Sequence, residues 1–259
     1  MKATVLLYHD ITPIGQFEIS GFQSPDANIY KLTLDEFDRH LSAVESRATL
    51  PMTLVNDAGD DSLMITFDDG GKSAVLYTAE MLEQHGWRGH FFVTTDYIDS
   101  TAFMTAADLR ELRSRGHLVG SHSCSHPTRM SHCSSAQLQH EWSDSIRKLE
   151  DILGEPVTAA SIPGGYYGDN VVHAARDAGI RNLFTSEPVR TVKVINGCRV
   201  LGRFSIQQRT SSGRAASLAG GDFWPPFQQR LFWETKKILK RVGGSAWLQV
   251  RTRVLARRP

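Results

Sequence analysis

The chain has 259 residues, 41% of them hydrophobic and 22% charged, which suffices for one large domain or two small ones with a packed core. A formal net charge of +1 excludes an overall electrostatic case for nucleic acid as a partner. Three cysteines, Cys124, Cys133 and Cys198, show no framework spacing, so structural disulfides are not implied.

The apolar run at residues 2–8 is too short for a signal peptide or a membrane span and reads as a first core strand, which makes the cytoplasm the expected compartment. A polar loop rich in Gly, Pro, Ser and Asn follows over residues 10–31, a length typical of binding or disordered loops. Thr33 and Glu36 then form a capping-box pattern ahead of an apolar stripe of Leu34, Phe37, Leu41 and Val44. Residues 63–67, Leu-Met-Ile-Thr-Phe, read as a buried strand that stops at Asp68-Asp69-Gly70-Gly71. Further helices are expected over residues 73–85, 105–114, 134–153 and 169–178. Further strands are expected at 90–94, 117–122, 157–162, 182–185 and 199–204. This alternation predicts a parallel α/β barrel or a doubly wound sheet in one domain, residues 1–222.

Residues 223–259 differ in composition. They carry Arg230, Lys236, Lys237, Lys240, Arg241, Arg251, Arg253, Arg257 and Arg258 against Glu234, with Trp224, Trp233 and Trp247 among them. The expectation is a helical extension packed on the barrel, with peripheral contact to an anionic membrane at the inner face as a further option.

Chemistry concentrates at two strand ends. Asp68 and Asp69 are adjacent anions that require a cation or donor nearby. At the second strand end, His122 and His126 are spaced four apart, close enough for both to reach one ion. Asp69, His122 and His126 make a two-histidine, one-carboxylate set with open positions, suited to Zn²⁺ or another divalent ion such as Co²⁺, Ni²⁺ or Mn²⁺. Cys124, between the histidines, is expected to point away from their shared face.

Thr66-Phe67-Asp68-Asp69-Gly70 together with His122-Ser123-Cys124-Ser125-His126-Pro127 resembles the first two motifs of the polysaccharide deacetylase family, the NodB-homology domain of carbohydrate esterase family four. The resemblance covers about residues 1–205. It implies a distorted (β/α) barrel of seven parallel strands, Asp68 as general base, Asp69, His122 and His126 as metal ligands, and a glycan substrate carrying N-acetyl or O-acetyl groups. Residues 161–166 are similar to the third motif, whose glycines Gly164 and Gly165, with Tyr166, are the expected oxyanion or substrate-binding elements.

Two departures from the family pattern stand out. Ser161 occupies the place of an arginine that pairs with the catalytic aspartate, so Asp68 is expected to be less well oriented and its pKa less depressed. The late histidine that serves as general acid is absent from residues 200–206. His9, at the end of the first strand, is the first candidate to replace it. Glu187 is a weaker candidate, and Arg203 reads as an electrostatic or substrate-binding group. The sequence therefore predicts a metal-dependent carbohydrate deacetylase, with a hydrolase of a small cyclic amide or ureide, or a non-catalytic metal-containing carbohydrate-binding protein, as alternatives.

Overall fold

Residues 1–165, 168–222, 224–231 and 233–234 are described in a computed structural model of the protein. Parallel strands β1 (Ala3–Tyr8), β2 (Ser62–Phe67), β3 (His90–Val93), β4 (Leu118–Ser121), β5 (Ala159–Ser161), β6 (Asn182–Phe184) and β7 (Cys198–Leu201) lie side by side in sequence order. Beyond β7 the chain skips Gly202 and Arg203 and continues as β8 (Phe204–Ser205), which pairs not with β6 but with β1. β7 and β8 are thus one stave broken in the middle. Its first half completes one edge of the sheet and its second half returns to the other. Counted this way, the curled sheet has the seven parallel staves that the family resemblance implies. Lys193–Ile195 adds an antiparallel edge beside β7.

Every residue of β1 and β2 is buried, because both faces of the sheet are covered. Successive side chains alternate between two cores. Leu6, Tyr8, Leu63, Ile65 and Phe67 face the helices, whereas Ala3, Val5, Met64, Phe92, Phe184 and Leu201 fill the inside of the curl. Gly120 in β4 makes room for that filling, since a Cβ there would lie 2.8 Å from the Phe92 ring and 2.6 Å from the Ala159 carbonyl.

Besides a single turn at Pro25–Asn28 inside the expected loop, the helices in chain order are α1 (Leu34–Arg47), α2 (Ala79–Gln84), α3 (Ala106–Ser114), α4 (Ser135–Leu153), α5 (Asp169–Asp177) and α6 (Ser212–Ala219). The Thr33–Glu36 capping box forms, and Thr105 with Asp108 and Ser134 with Gln137 repeat it at α3 and α4. The helix expected over residues 73–85 opens instead as a π-helical turn, Ala74–Thr78, before α2. α6 has no counterpart among the expected elements: its Ser- and Gly-rich stretch is a helix capped by Ser211 and buried through Ala215, Ala216, Leu218 and Ala219. Residues 224–231 and 233–234 are also helical, and Gln229 Nε2 donates to the Ser205 carbonyl at 3.0 Å. Trp247, expected to pack on the barrel, lies outside the described residues. No helix among the described residues is long and apolar enough to cross a membrane.

The long loop at residues 10–31 is ordered by a buried carboxylate. Asp10 Oδ1 accepts from Ser20 Oγ at 2.6 Å and from Ser73 Oγ at 3.0 Å, and Ser20 Oγ accepts from the Ser73 amide at 2.7 Å. Lys31 Nζ, also buried, donates to the Phe17 and Ser20 carbonyls at 2.7 and 2.6 Å. A Cβ on Gly71 would lie 1.9 Å from Asp10 Oδ1, so the second glycine of the Asp-Asp-Gly-Gly turn is required by the carboxylate pressed against it.

Candidate metal centre and its acid–base partner

The inward face of each strand carries its register to the carboxyl rim, where α/β folds place their chemistry. Met64, Thr66 and, just past its end, Asp68 follow one another along β2, Gly120 and then His122 along and just past β4, Ala159 and Ser161 on β5, and Leu201 and Arg203 on the broken stave. Asp69, one residue further, would face away. It is brought back because its own backbone is left-handed, with φ of 77°. That conformation is uncommon outside glycine and costs about 1–3 kcal/mol unless the surroundings enforce it. His126 shares it, at φ of 60°.

The result is a converging set. Asp69 Oδ1 lies 3.5 Å from His122 Nε2 and 3.6 Å from His126 Nε2. The three donor atoms all fall within 4.8 Å of one another. His122 Nδ1 lies 2.9 Å from the Ser161 carbonyl and donates to it, which leaves the Nε2 lone pair aimed at Asp69. Two neutral imidazole nitrogens and one carboxylate oxygen suit a divalent ion, and ligand bonds of ~2.0–2.2 Å to a common centre require about this separation. The residues therefore fit a metal. Cys124 stays outside the set, its Sγ directed to the His140 carbonyl.

Asp68 is buried beside this cluster, its Oδ2 3.9 Å from His122 Nε2. The expected loss of its arginine is corrected by the structure. Arg203, fully buried, reaches across the barrel from the broken stave and grips Asp68 with both arms, Nη1 to Oδ1 and Nη2 to Oδ2 at 2.7 Å each. Nη1 also donates to Thr66 Oγ1 at 3.2 Å, Nη2 to Ser161 Oγ at 2.7 Å, and Nε to the Thr185 carbonyl at 2.9 Å. All five N–H groups of the guanidinium are engaged. Phe92 and Phe184 line it, 5.9 and 6.0 Å away. Ser161, in turn, donates its hydroxyl to Asp68 Oδ2 at 3.0 Å. Arg203 is thus an electrostatic partner of Asp68 with no free donor for substrate.

Burial alone would raise the Asp68 pKa, but Arg203 and then His122 outweigh it and hold the carboxyl below its ordinary range. Asp69 is also held below its ordinary range: burial opposes, and His122, His9 and His126 prevail. His122 is raised because Asp68 and Asp69 overcome its desolvation. His126, penalised by burial and by His122, falls to about 4.

His9 packs against Tyr30 with the rings tilted and their centroids 4.6 Å apart, and its buried Nδ1 has no hydrogen-bond partner among the described residues. Glu187 pairs with Lys193 at 3.4 Å. The amide of Gly165 is turned into its own turn, donating to the Ile162 carbonyl at 3.0 Å, so it is not an oxyanion donor. Gly164 is exposed at φ of 64°, and Tyr166 lies outside the described residues. Phe22, from the loop at residues 10–31, packs 4.9 Å from His126 and 4.9 Å from Tyr97. A separate cavity of about 240 Å³ opens at the opposite end of the strands, against Leu118 and Ala159.

Residues 55–183, which contain both strand ends, match the family model for polysaccharide deacetylases. Over this stretch the chain belongs to the polysaccharide deacetylase family. It is 24% identical over 196 residues to YxkH of Bacillus subtilis, covering 72% of this chain and 65% of that protein. It is 28% identical over 127 residues to the peptidoglycan-N-acetylglucosamine deacetylase of Bacillus cereus, covering 48% of this chain and 56% of that one. The chain thus spans about half to two thirds of the length of these curated relatives. The structure of the Streptococcus pyogenes deacetylase PplD in complex with acetate shares the fold with a TM-score of 0.67 at 21% identity, over 82% of this chain and 95% of that one.

Within this polysaccharide-deacetylase-family barrel, one buried carboxylate has almost no signal in the sequence. Glu141 on α4 is buried and points into the loop between the two histidines. Its only sequence signal is a charged residue next to Trp142 on the apolar face of α4.

Proposed function

We propose that the protein is a metal-dependent deacetylase that hydrolyses N-acetyl or O-acetyl groups on a polysaccharide, oligosaccharide or lipid-linked glycan. The observation that carries this reading is the convergence of Asp69, His122 and His126 beside a buried, ion-paired Asp68.

Asp69, His122 and His126 would hold a divalent ion, which when bound would supply Lewis acidity toward water and the acetyl carbonyl. Asp68 takes the proton from the attacking water at its carboxylate, and Arg203 keeps that carboxylate ionised and oriented for the task. The leaving amine then needs a proton. His9 is the candidate donor: it stands on the same rim, and its buried Nδ1 has no hydrogen-bond partner among the described residues. The half-buried aromatic rings of Phe22, Tyr97 and Tyr30 flank the site and suit the apolar faces of a sugar. The basic segment from Arg230 onward adds peripheral contact with an anionic lipid surface, and with it a cytoplasmic inner-leaflet location.

The test is acetate release from N-acetylglucosamine oligomers by protein loaded with Zn²⁺ or Co²⁺, against Asp68→Asn and Asp69→Asn. Turnover that both substitutions reduce by about 10²-fold or more is expected. Turnover of a ureide without any glycan would favour the cyclic-amide alternative, and metal and glycan binding without any turnover the binding-protein alternative.

A further inference from the structure

The two histidines of the cluster are separated by a loop whose shape is unusual for its sequence. Ser123 and His126 both have left-handed backbones, with φ of 64° and 60°, and neither is glycine. Left to itself such a loop would relax and the two imidazoles would separate. Neighbouring elements clamp it from two sides. On one side the Thr95 and Asp96 amides donate to the Ser123 and Cys124 carbonyls at 3.1 and 3.0 Å. On the other stands the carboxylate of Glu141. Its Oε2 accepts from the Cys124 and Ser125 amides at 2.9 Å each, and its Oε1 accepts from Ser125 Oγ at 2.6 Å.

These three bonds converge on residues 124 and 125, the middle of the four-residue spacing. Glu141 itself is only 6% exposed, and its position is fixed one helical turn before Ser145, whose hydroxyl meets Ser121 Oγ at 2.6 Å at the end of β4. The carboxylate therefore does for this loop what a capping side chain does for a helix end: it gathers amides that a strained turn leaves pointing inward.

We propose that Glu141 is a positioning residue for the metal centre, holding the loop at residues 123–125 in its left-handed form so that His122 and His126 present their Nε2 atoms to one ion before the ion arrives. The inference rests on the reading of Asp69, His122 and His126 as metal ligands. Glu141 touches neither metal nor substrate, and its effect passes through the two amides.

The experiment measures Zn²⁺ affinity by chelator competition for the wild type, Glu141→Ala, Glu141→Gln and Asp69→Asn, with the folded fraction of each set by circular dichroism. Amide hydrogen exchange at Cys124 and Ser125 is read on the metal-free proteins. Glu141→Ala is expected to weaken Zn²⁺ binding about 10–100-fold, the range seen when supporting partners of metal ligands are removed. Glu141→Gln, whose amide oxygen still accepts from the loop, recovers part of the loss. Exchange at Cys124 and Ser125 accelerates in Glu141→Ala while the amides of β1 and β2 keep their protection. Should Glu141→Ala fail to fold, Glu141→Gln carries the comparison alone, with a loss of a few-fold expected. A variant that loses thermal stability but binds Zn²⁺ as tightly as the wild type overturns the proposal. No Zn²⁺ binding by the wild type, or equal binding by Asp69→Asn, instead overturns the metal-site reading itself.

Discussion

At the scale of single residues, Arg203 shows how one side chain can change the meaning of another. Ser161 looks in sequence like the loss of a cation, yet the guanidinium arrives from a different stave and uses the serine hydroxyl as one of its acceptors. Size makes the exchange possible. A small residue on β5 leaves the space that a long side chain from the broken stave, two places along the sheet, fills between Phe92 and Phe184. Lysine cannot reproduce a planar fork with five donors. Arg203→Lys is expected to lower stability by about 2 kcal/mol or more, because buried acceptors lose their partners. It should also weaken the force that holds the Asp68 pKa down. Asp68 then stays protonated to higher pH, so the acid limb of the kcat/KM profile moves upward. An acid limb left in place would show that Arg203 does not govern the ionisation of Asp68.

At the scale of elements, the broken stave between β7 and β8 joins fold to site. The break lets the stave through residues 198–205 pair first with β6 and then with β1. Gly202 permits the break. A Cβ there would lie 2.3 Å from the Glu187 carbonyl and 2.5 Å from that of Val189, and the Arg203 amide donates to the same Glu187 carbonyl at 2.9 Å. Gly202→Ala is expected to cost roughly 1–3 kcal/mol, the range for overpacking a close contact, read as a lower urea midpoint. Because the shift also moves Arg203 away from Asp68, deacetylation should fall while Zn²⁺ affinity is retained. A variant with the wild-type midpoint would show that the stave does not need its glycine. The capped helices α1, α3 and α4 were legible in sequence because a capping box is a local pattern. The break was not, since it depends on which two strands the chain meets after the barrel has curled.

For the molecule as a whole, charge is divided along the chain. Residues 224–259 hold nine Lys and Arg and one Glu, +8 in all, so the remaining 223 residues carry −7 of the total +1. The near-neutral sum conceals two oppositely charged parts. Trp224, Phe227 and Leu231, spaced along one helical face, are 66%, 44% and 60% exposed. The full chain is expected to co-sediment with vesicles containing phosphatidylserine at low salt and to release as salt screens the cations over a Debye length of about 8 Å at 0.15 M. Truncation at residue 222 should abolish binding while leaving acetate release intact. Equal sedimentation with neutral vesicles, or a salt-dependent shift with DNA alone, would count against the lipid surface.

The sequence by itself determined the alternating architecture and the Asp69, His122 and His126 set, because strand periodicity and motif spacing are short-range and survive without knowledge of neighbours. Only the tertiary structure decided that Arg203 serves Asp68, that Asp10 shapes the Gly71 turn, and that Glu141 clamps the histidine loop. Each of these joins residues from separate elements inside a low-dielectric interior, where a buried charge must find its partner wherever the curl of the sheet brings one within reach.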